Sequence, residues 1–201
     1  SILAITFTNK AANEMRERLA DMVAGSESMW ICTIHSMCVR ILRKFADRRG
    51  FTQNFSIYSE TERAAVIKKA FAACGFDDEK LLKNVKFHIA NARMLGLSPE
   101  AYAEENAGLK GIGEICAVYR AYCDFLKRNN ALDFDDLLNE TRALLGEDKD
   151  ALEYCGGRFR YIHVDEFQDT NRVQYEIICM LASVHGNLFA VGDDDQSIYG
   201  W

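Results

Sequence analysis

Two short apolar runs, Tyr161-Ile162-His163-Val164 and Leu188 to Val191, each give way to carboxylates, and between them Val173, Ile177 and Leu181 recur at helical spacing. Runs this short, bounded by polar turns, read as strands rather than buried helices. Strand, helix and strand in that order form a crossover unit, which pairs its strands in parallel. The opening of the chain repeats the pattern. Ile2 to Thr6 is apolar, and after Thr8-Asn9 the positions Ala12, Met15, Leu19 and Met22 mark one face of a helix. Trp30 to Ile34 is a second strand, followed by a helix carrying Cys38, Ile41, Leu42 and Phe45, and Phe55 to Tyr58 is a third strand.

Between Ser59 and Gly157 helix signals follow one another. Ser59 and Glu62 have capping-box spacing ahead of Val66, Ala70, Phe71 and Cys74, and Ser98 precedes the only proline, Pro99, a helix start. Ile112, Cys116, Tyr119, Cys123 and Leu126 form a long stripe, and Asp133 caps a helix with Leu137, Leu138, Thr141 and Leu145 before Gly156-Gly157 breaks the chain. The expected architecture is α/β: a parallel sheet domain in two parts, 1–58 and 158–201, interrupted by an all-helical subdomain over 59–157.

With 201 residues, 49% of them hydrophobic, the chain can bury one or two cores, since domains span roughly 100–200 residues. No apolar stretch reaches the roughly 20 residues that cross a bilayer, so no membrane contact is expected. The seven cysteines never stand as C-x-x-C and do not alternate with the four histidines at zinc spacing; they read as reduced, mostly buried thiols of a cytoplasmic protein. The net charge of −6 divides unevenly, +3 over 1–59, −5 over 60–157 and −4 over 158–201. A local cationic face can still meet phosphates, because affinity follows the contacts made rather than the total.

Ligands of open parallel sheets gather beyond the carboxyl ends of the strands, where Asp165, Glu166 and Asp193 to Gln196 fall. A carboxylate there can hold Mg²⁺, which neutralises charge on transferring phosphate oxygens. Asp165 is the candidate metal ligand. Glu166 can take a proton from, or orient, an attacking water, and Gln196 can report a terminal phosphate by hydrogen bonding. An acidic cluster taken alone reads more readily as helix caps and solvated turns, but its repetition after two strands favours a shared site. Asp169 and Thr170 keep the simpler role of capping the helix that starts near Asn171.

The segments Val164-Asp165-Glu166-Phe167-Gln168-Asp169-Thr170-Asn171 and Val191 to Trp201 resemble helicase motifs II and III of the UvrD/PcrA/Rep family of superfamily 1. Thr6 to Met15 resembles motif Ia, Thr33 to Cys38 the next DNA-contacting motif, and Leu132 to Leu137 the acidic motif of the family's helical insert. The matches run in family order from end to end. Phe167 stands where Tyr is frequent and Ile34 where Phe is frequent, and both keep an apolar body.

The resemblance implies a RecA-like sheet domain of the P-loop NTPase type and an ATP-dependent 3′ to 5′ DNA helicase. It implies ATP and Mg²⁺ as cofactors, Asp165 on the metal, Glu166 as catalytic base, and Gln196 both at the nucleotide and coupling its γ-phosphate to DNA. Phe7, Thr8, Asn9, Thr33, His35, Tyr199 and Trp201 are implied as contacts to single-stranded DNA, with single-strand/duplex junctions as substrate and the helical insert beside the DNA. Aromatics that stack on bases contribute about 1–3 kcal/mol each, and short polar side chains or a helix N-terminus can meet phosphates. Repair or replication proteins are the partners in view.

The family's G-x-x-x-x-G-K-[ST] loop does not occur in these residues. The expectation is therefore a piece of a longer protein, incomplete at its N-terminus, lacking the second motor domain and inactive as an ATPase by itself. The competing readings are a metal-dependent nuclease, from the clustered carboxylates, and a non-catalytic DNA- or partner-binding module.

Overall fold

The computed structural model describes residues 1–193 and Asp195. In chain order the elements are β1 (Ile2–Thr6), α1 (Asn9–Met22), β2 (Trp30–Thr33), α2 (Ile34–Lys44), β3 (Ser56–Ile57), α3 (Glu60–Ala73), α4 (Glu79–Met94) and α5 (Pro99–Glu105). They continue with α6 (Ile112–Arg128), β4 (Ala131–Leu132), α7 (Phe134–Glu147), α8 (Lys149–Arg158), β5 (Tyr161–Val164), α9 (Arg172–Ala182) and β6 (Leu188–Ala190). Two compact units result, one from Ser1–Arg49 and the residues from Glu140 onward, the other from Gly50–Asn139.

The first unit holds a four-stranded parallel sheet in the order β2-β1-β5-β6. Its register sets Thr6 beside Thr33, Ile5 beside Val164, and Val164 beside Ala190, so all four strands end at one level. Along β5 the pleat buries Ile162 and Val164 and exposes Tyr161 and His163, the alternation expected of a strand packed on one face. On the other face α1 and the sheet enclose an apolar groove of about 770 Å³ that reaches Met15, Leu19, His163 and Phe189. The stripe read for α1 is thus only partly covered, with Ala12 buried and Met22 exposed. Val173, Ile177 and Leu181 of α9 are all buried, as their spacing predicts.

The second unit is helical. Val66, Phe71, Val85, Ile89, Ile115, Val118 and Tyr122 form its core. Ser59 and Glu62 make the expected capping box, and Ser98 caps α5 with Pro99 in its first turn. The strand read at Phe55 to Tyr58 belongs here: β3 pairs in parallel with β4 and takes no part in the four-stranded sheet. With two residues each, these strands are too short to leave a periodic signature. The contact boundaries at 49/50 and 139/140 therefore place β3 and the first part of α7 with the helices, whereas the sequence divides the chain at 58/59 and 157/158.

Two local expectations are overturned. Gly156 and Gly157 do not break the chain but lie inside α8. A Cβ on Gly156 would sit 2.3 Å from Cγ2 of Val184, so this glycine permits a close approach of the chain just after α9 and serves packing. Neither Asp169 nor Thr170 caps α9. Asn171 does, accepting from Gln174 N while Gln174 Oε1 accepts from Asn171 N.

Candidate functional site

Backbone hydrogen bonds carry the sheet one step past its strands and fix the two acidic turns. Asp165 N donates to Ile5 O at 2.9 Å, Val191 N to Val164 O at 2.8 Å, and Phe167 N to Val191 O at 2.9 Å. Asp165 is held half-buried at the strand end while Glu166 is exposed. Among the described residues the Asp165 carboxylate has no hydrogen-bond or ion-pair partner. Glu166 sits in the left-handed region at φ 53° and ψ 46°, which costs a non-glycine residue on the order of 1 kcal/mol. Asn130 is the one other described non-glycine residue with positive φ.

Gln168, which sequence reasoning did not single out, joins the two turns. Its Nε2 donates to Glu166 Oε2 at 2.6 Å, and its Oε1 accepts from Asp193 N at 3.0 Å. Both ends of one amide are used. A Cβ on Gly192 would lie 2.7 Å from Gln168 Oε1 and 3.3 Å from Phe167 Cβ, so glycine is what lets the second turn close on the first. The signal available in the sequence was a bifunctional amide two residues past Glu166, with glycine ahead of the second acidic run. Asp193 Oδ1 accepts from Asp195 N at 3.0 Å, so this carboxylate organises its own turn.

The ends of β1 and β2 place the remaining described candidates. Thr8 is the N-cap of α1, its Oγ1 accepting from Ala11 N at 3.1 Å, and Thr6 Oγ1 donates to Thr8 O at 3.1 Å. Asn9 opens α1. Thr33 caps α2 by accepting from Ser36 N at 3.3 Å, and its hydroxyl is 3.0 Å from that of Ser36. Only 9% of Thr33 is exposed, so its side chain serves the cap first. Because Thr6 and Thr33 are paired, the two helix N-termini start side by side, and such termini carry partial positive charge. His35 lies in the first turn of α2, and burial pulls its pKa below the ordinary value, leaving the ring neutral at pH 7. Phe7 is 45% exposed and borders a cleft of about 20 Å³ shared with Asp165 and Glu166.

Five candidates from β1 and β2 and the Asp165-Glu166 pair therefore lie along one edge of one sheet. Gln196, Tyr199 and Trp201 fall outside the described residues. No group of three or more His, Cys, Asp or Glu converges as a metal cage among the described residues. Mg²⁺ commonly needs only one or two protein carboxylates alongside phosphate oxygens and water. Asp165, half-buried and without a partner among the described residues, fits that requirement together with the adjacent Glu166.

A parallel sheet with helical crossovers, an inserted helical unit and acidic turns at its carboxyl edge is a RecA-like fold of the P-loop NTPase type. A family model described as the UvrD/REP helicase N-terminal domain matches residues 1–201, and the chain belongs to that family. It is 45% identical over 202 residues to the ATP-dependent DNA helicase PcrA of Staphylococcus aureus, and 45% identical over 204 residues to that of Staphylococcus epidermidis. These alignments cover 100% of the chain and 28% of each relative. Among the described residues no helix is long and apolar enough to cross a membrane.

Proposed function

We propose that the chain is part of the first motor domain of a cytoplasmic ATP-dependent DNA helicase that moves 3′ to 5′ on single-stranded DNA and opens duplex at junctions. The observation that carries this reading is the coupling of the strained Glu166, next to Asp165, through Gln168 to the turn at Asp193. Asp165 is the residue that would hold Mg²⁺ with ATP. When bound, that ion supplies charge neutralisation at the phosphate oxygens. Glu166, exposed at the turn, orients the attacking water and accepts its proton. Gln168 transmits the position of the Glu166 carboxylate to the segment that continues into Gln196, Tyr199 and Trp201. Gln196 senses the terminal phosphate, and Tyr199 and Trp201 stack on bases.

Phe7, Thr8, Asn9, Thr33 and His35 form the other part of the DNA track, with backbone N–H groups at the two helix starts facing phosphates. The segment 59–157 lies along the DNA as an insert, and repair or replication proteins direct the motor to its substrates. The 201 residues alone bind or position but do not turn over ATP.

Glu166→Gln in the intact protein is the test. DNA-stimulated ATP hydrolysis is expected to fall by about 10²–10⁴-fold with nucleotide binding retained, and undiminished turnover would sink the assignment. Mg²⁺-dependent DNA cleavage without ATP, lost in Asp165→Ala, would instead establish the nuclease reading.

A further inference from the structure

A second site lies at the opposite end of the same sheet. Trp30 opens β2, Phe159 lies two residues before β5, and α2 and α8 bring up Arg40, Lys44, Tyr154 and Arg158. Together they surround a cavity of about 160 Å³, and no carboxylate is among the described residues that line it. The guanidinium carbons of Arg40 and Arg158 each lie 4.9 Å from the Trp30 ring centroid, and Phe159 meets that ring edge-on at 5.0 Å. Lys44 Nζ lies 4.4 Å from the ring of Tyr154. Among the described residues none of these three cations has an ion-pair partner.

Three positive charges gathered around one small cavity repel one another, and the rings offset only part of that cost. The buried Cys155 adds no negative charge to the cavity. Burial raises its pKa to about 11 although Lys44 and Arg158 pull it down, so the thiol stays protonated at neutral pH. Arg40, Lys44 and Arg158 are solvent-exposed, so water screens much of their repulsion, and an anionic ligand at the cavity mouth finds all three within reach. Two guanidiniums present forks that match carboxylates, while the walls, which include Ile41 and Phe45, are apolar.

We infer that this pocket is a docking site for an acidic peptide segment of a partner protein, seating one large apolar side chain in the cavity and its flanking carboxylates on Arg40, Lys44 and Arg158. Charge complementarity selects an anionic partner, and the occupied rings select a peptide over a nucleic acid. Both guanidiniums already lie over Trp30, where they compete with a base for that ring, and a phosphate alone would leave the apolar walls unfilled. The position at the amino ends of the strands leaves the carboxyl edge clear. A partner can therefore be held here while the motor works.

The test is fluorescence anisotropy of the intact protein with a fluorescein-labelled peptide of four aspartates followed by leucine and phenylalanine. Binding is expected that weakens as salt is raised, and that is lost when the aspartates are replaced by asparagine or the two apolar residues by serine. Lys44→Gln and Arg158→Gln are each expected to weaken it about tenfold, the effect of losing one charge-assisted contact. Arg158→Lys, which keeps the charge but not the fork, should weaken binding less than Arg158→Gln, and thermal melts of all variants establish that they are folded. The inference is overturned if the peptide fails to bind or binds folded Lys44→Gln and Arg158→Gln as tightly as the parent. It is equally overturned if those variants lose affinity for a single-stranded oligonucleotide and not for the peptide. Because the readout is peptide affinity, it does not depend on ATP turnover.

Discussion

The side-chain carbonyl of Gln168 accepts a hydrogen bond from the backbone N–H of Asp193 at 3.0 Å, although the two residues belong to turns that follow different strands. The same side chain donates to Glu166. Movement of either turn is therefore felt by the other without any contact between carboxylates. Under the proposed function, in which the state of a bound nucleotide changes contacts at the nucleic acid, this would be a direct mechanical route.

Gln168→Ala is expected to uncouple the turns rather than unfold them. Each hydrogen bond removed is worth about 0.5–1.5 kcal/mol, and the site is solvent-accessible, so the melting temperature should change by only a few degrees. DNA-stimulated ATP hydrolysis should fall by about tenfold or more, because a misplaced base loses rate steeply. Steady-state turnover with and without DNA, beside thermal melts, checks both halves.

Gly192→Ala should reproduce that phenotype by another route. The new methyl group meets Gln168 Oε1 at 2.7 Å, and the amide can swing away only by giving up its bond to Asp193. The double variant Gln168→Ala/Gly192→Ala should then be little worse than either single change, since both remove one coupling. Additive losses in turnover would show that the two residues act separately.

The helical unit encloses a buried ion cluster. Arg93 and Asp133 are 3% and 1% exposed and joined at 2.6 Å, and Arg93 also reaches Asp136 at 2.5 Å. Tyr122 donates its hydroxyl to Asp133, and Arg63 lies 3.8 Å from the same carboxylate. Arg93→Met strands these carboxylates in the core and is expected to cost about 3–5 kcal/mol. Denaturant unfolding followed by circular dichroism measures it.

The same cluster has a distinct pH signature. Burial and the neighbouring Asp133 push the Asp136 pKa up to about 6 against the pull of Arg93. A carboxyl raised in the folded state binds its proton more tightly there than in the unfolded chain. Its contribution therefore makes the protein more stable as pH falls from about 6 towards 4, and less stable as pH rises through that window. Asp133 is shifted the other way, chiefly by Arg93 against the effect of its burial, and its stabilisation is lost only as pH falls below the ordinary carboxylate range. Asp136→Asn should flatten the upper window, as read from unfolding free energies between pH 4 and 7.

How much of this was legible beforehand follows from the length of the signals. β1, β2, β5 and β6 are apolar runs bounded by polar turns; α7 and α9 bury the stripes that their spacing marks, and α2, α3 and α6 bury most of theirs, with Phe45, Cys74, Ile112 and Cys123 half-buried. β4 is two residues long, and its partner β3 lies far away in sequence, so neither periodicity nor a turn motif points to the pair. α4 and α8 have weaker apolar stripes, and the Gly156-Gly157 pair hid the end of α8, because only the proximity of Val184 explains why glycine is needed inside a helix. At the site, Asp165 and Glu166 stand out by chemical type and position. Gln168 did not, because its importance comes from a partner in another turn.

The left-handed backbone at Glu166 sets endurance against activity. Glycine or asparagine would relieve the strain there, and both remove the carboxylate on which the proposed hydrolysis depends. Selection for heat resistance alone, in a population freed from the need to work, would drift this position towards loss of catalysis. A glutamate at this position fits the proposed role in hydrolysis rather than the needs of the backbone.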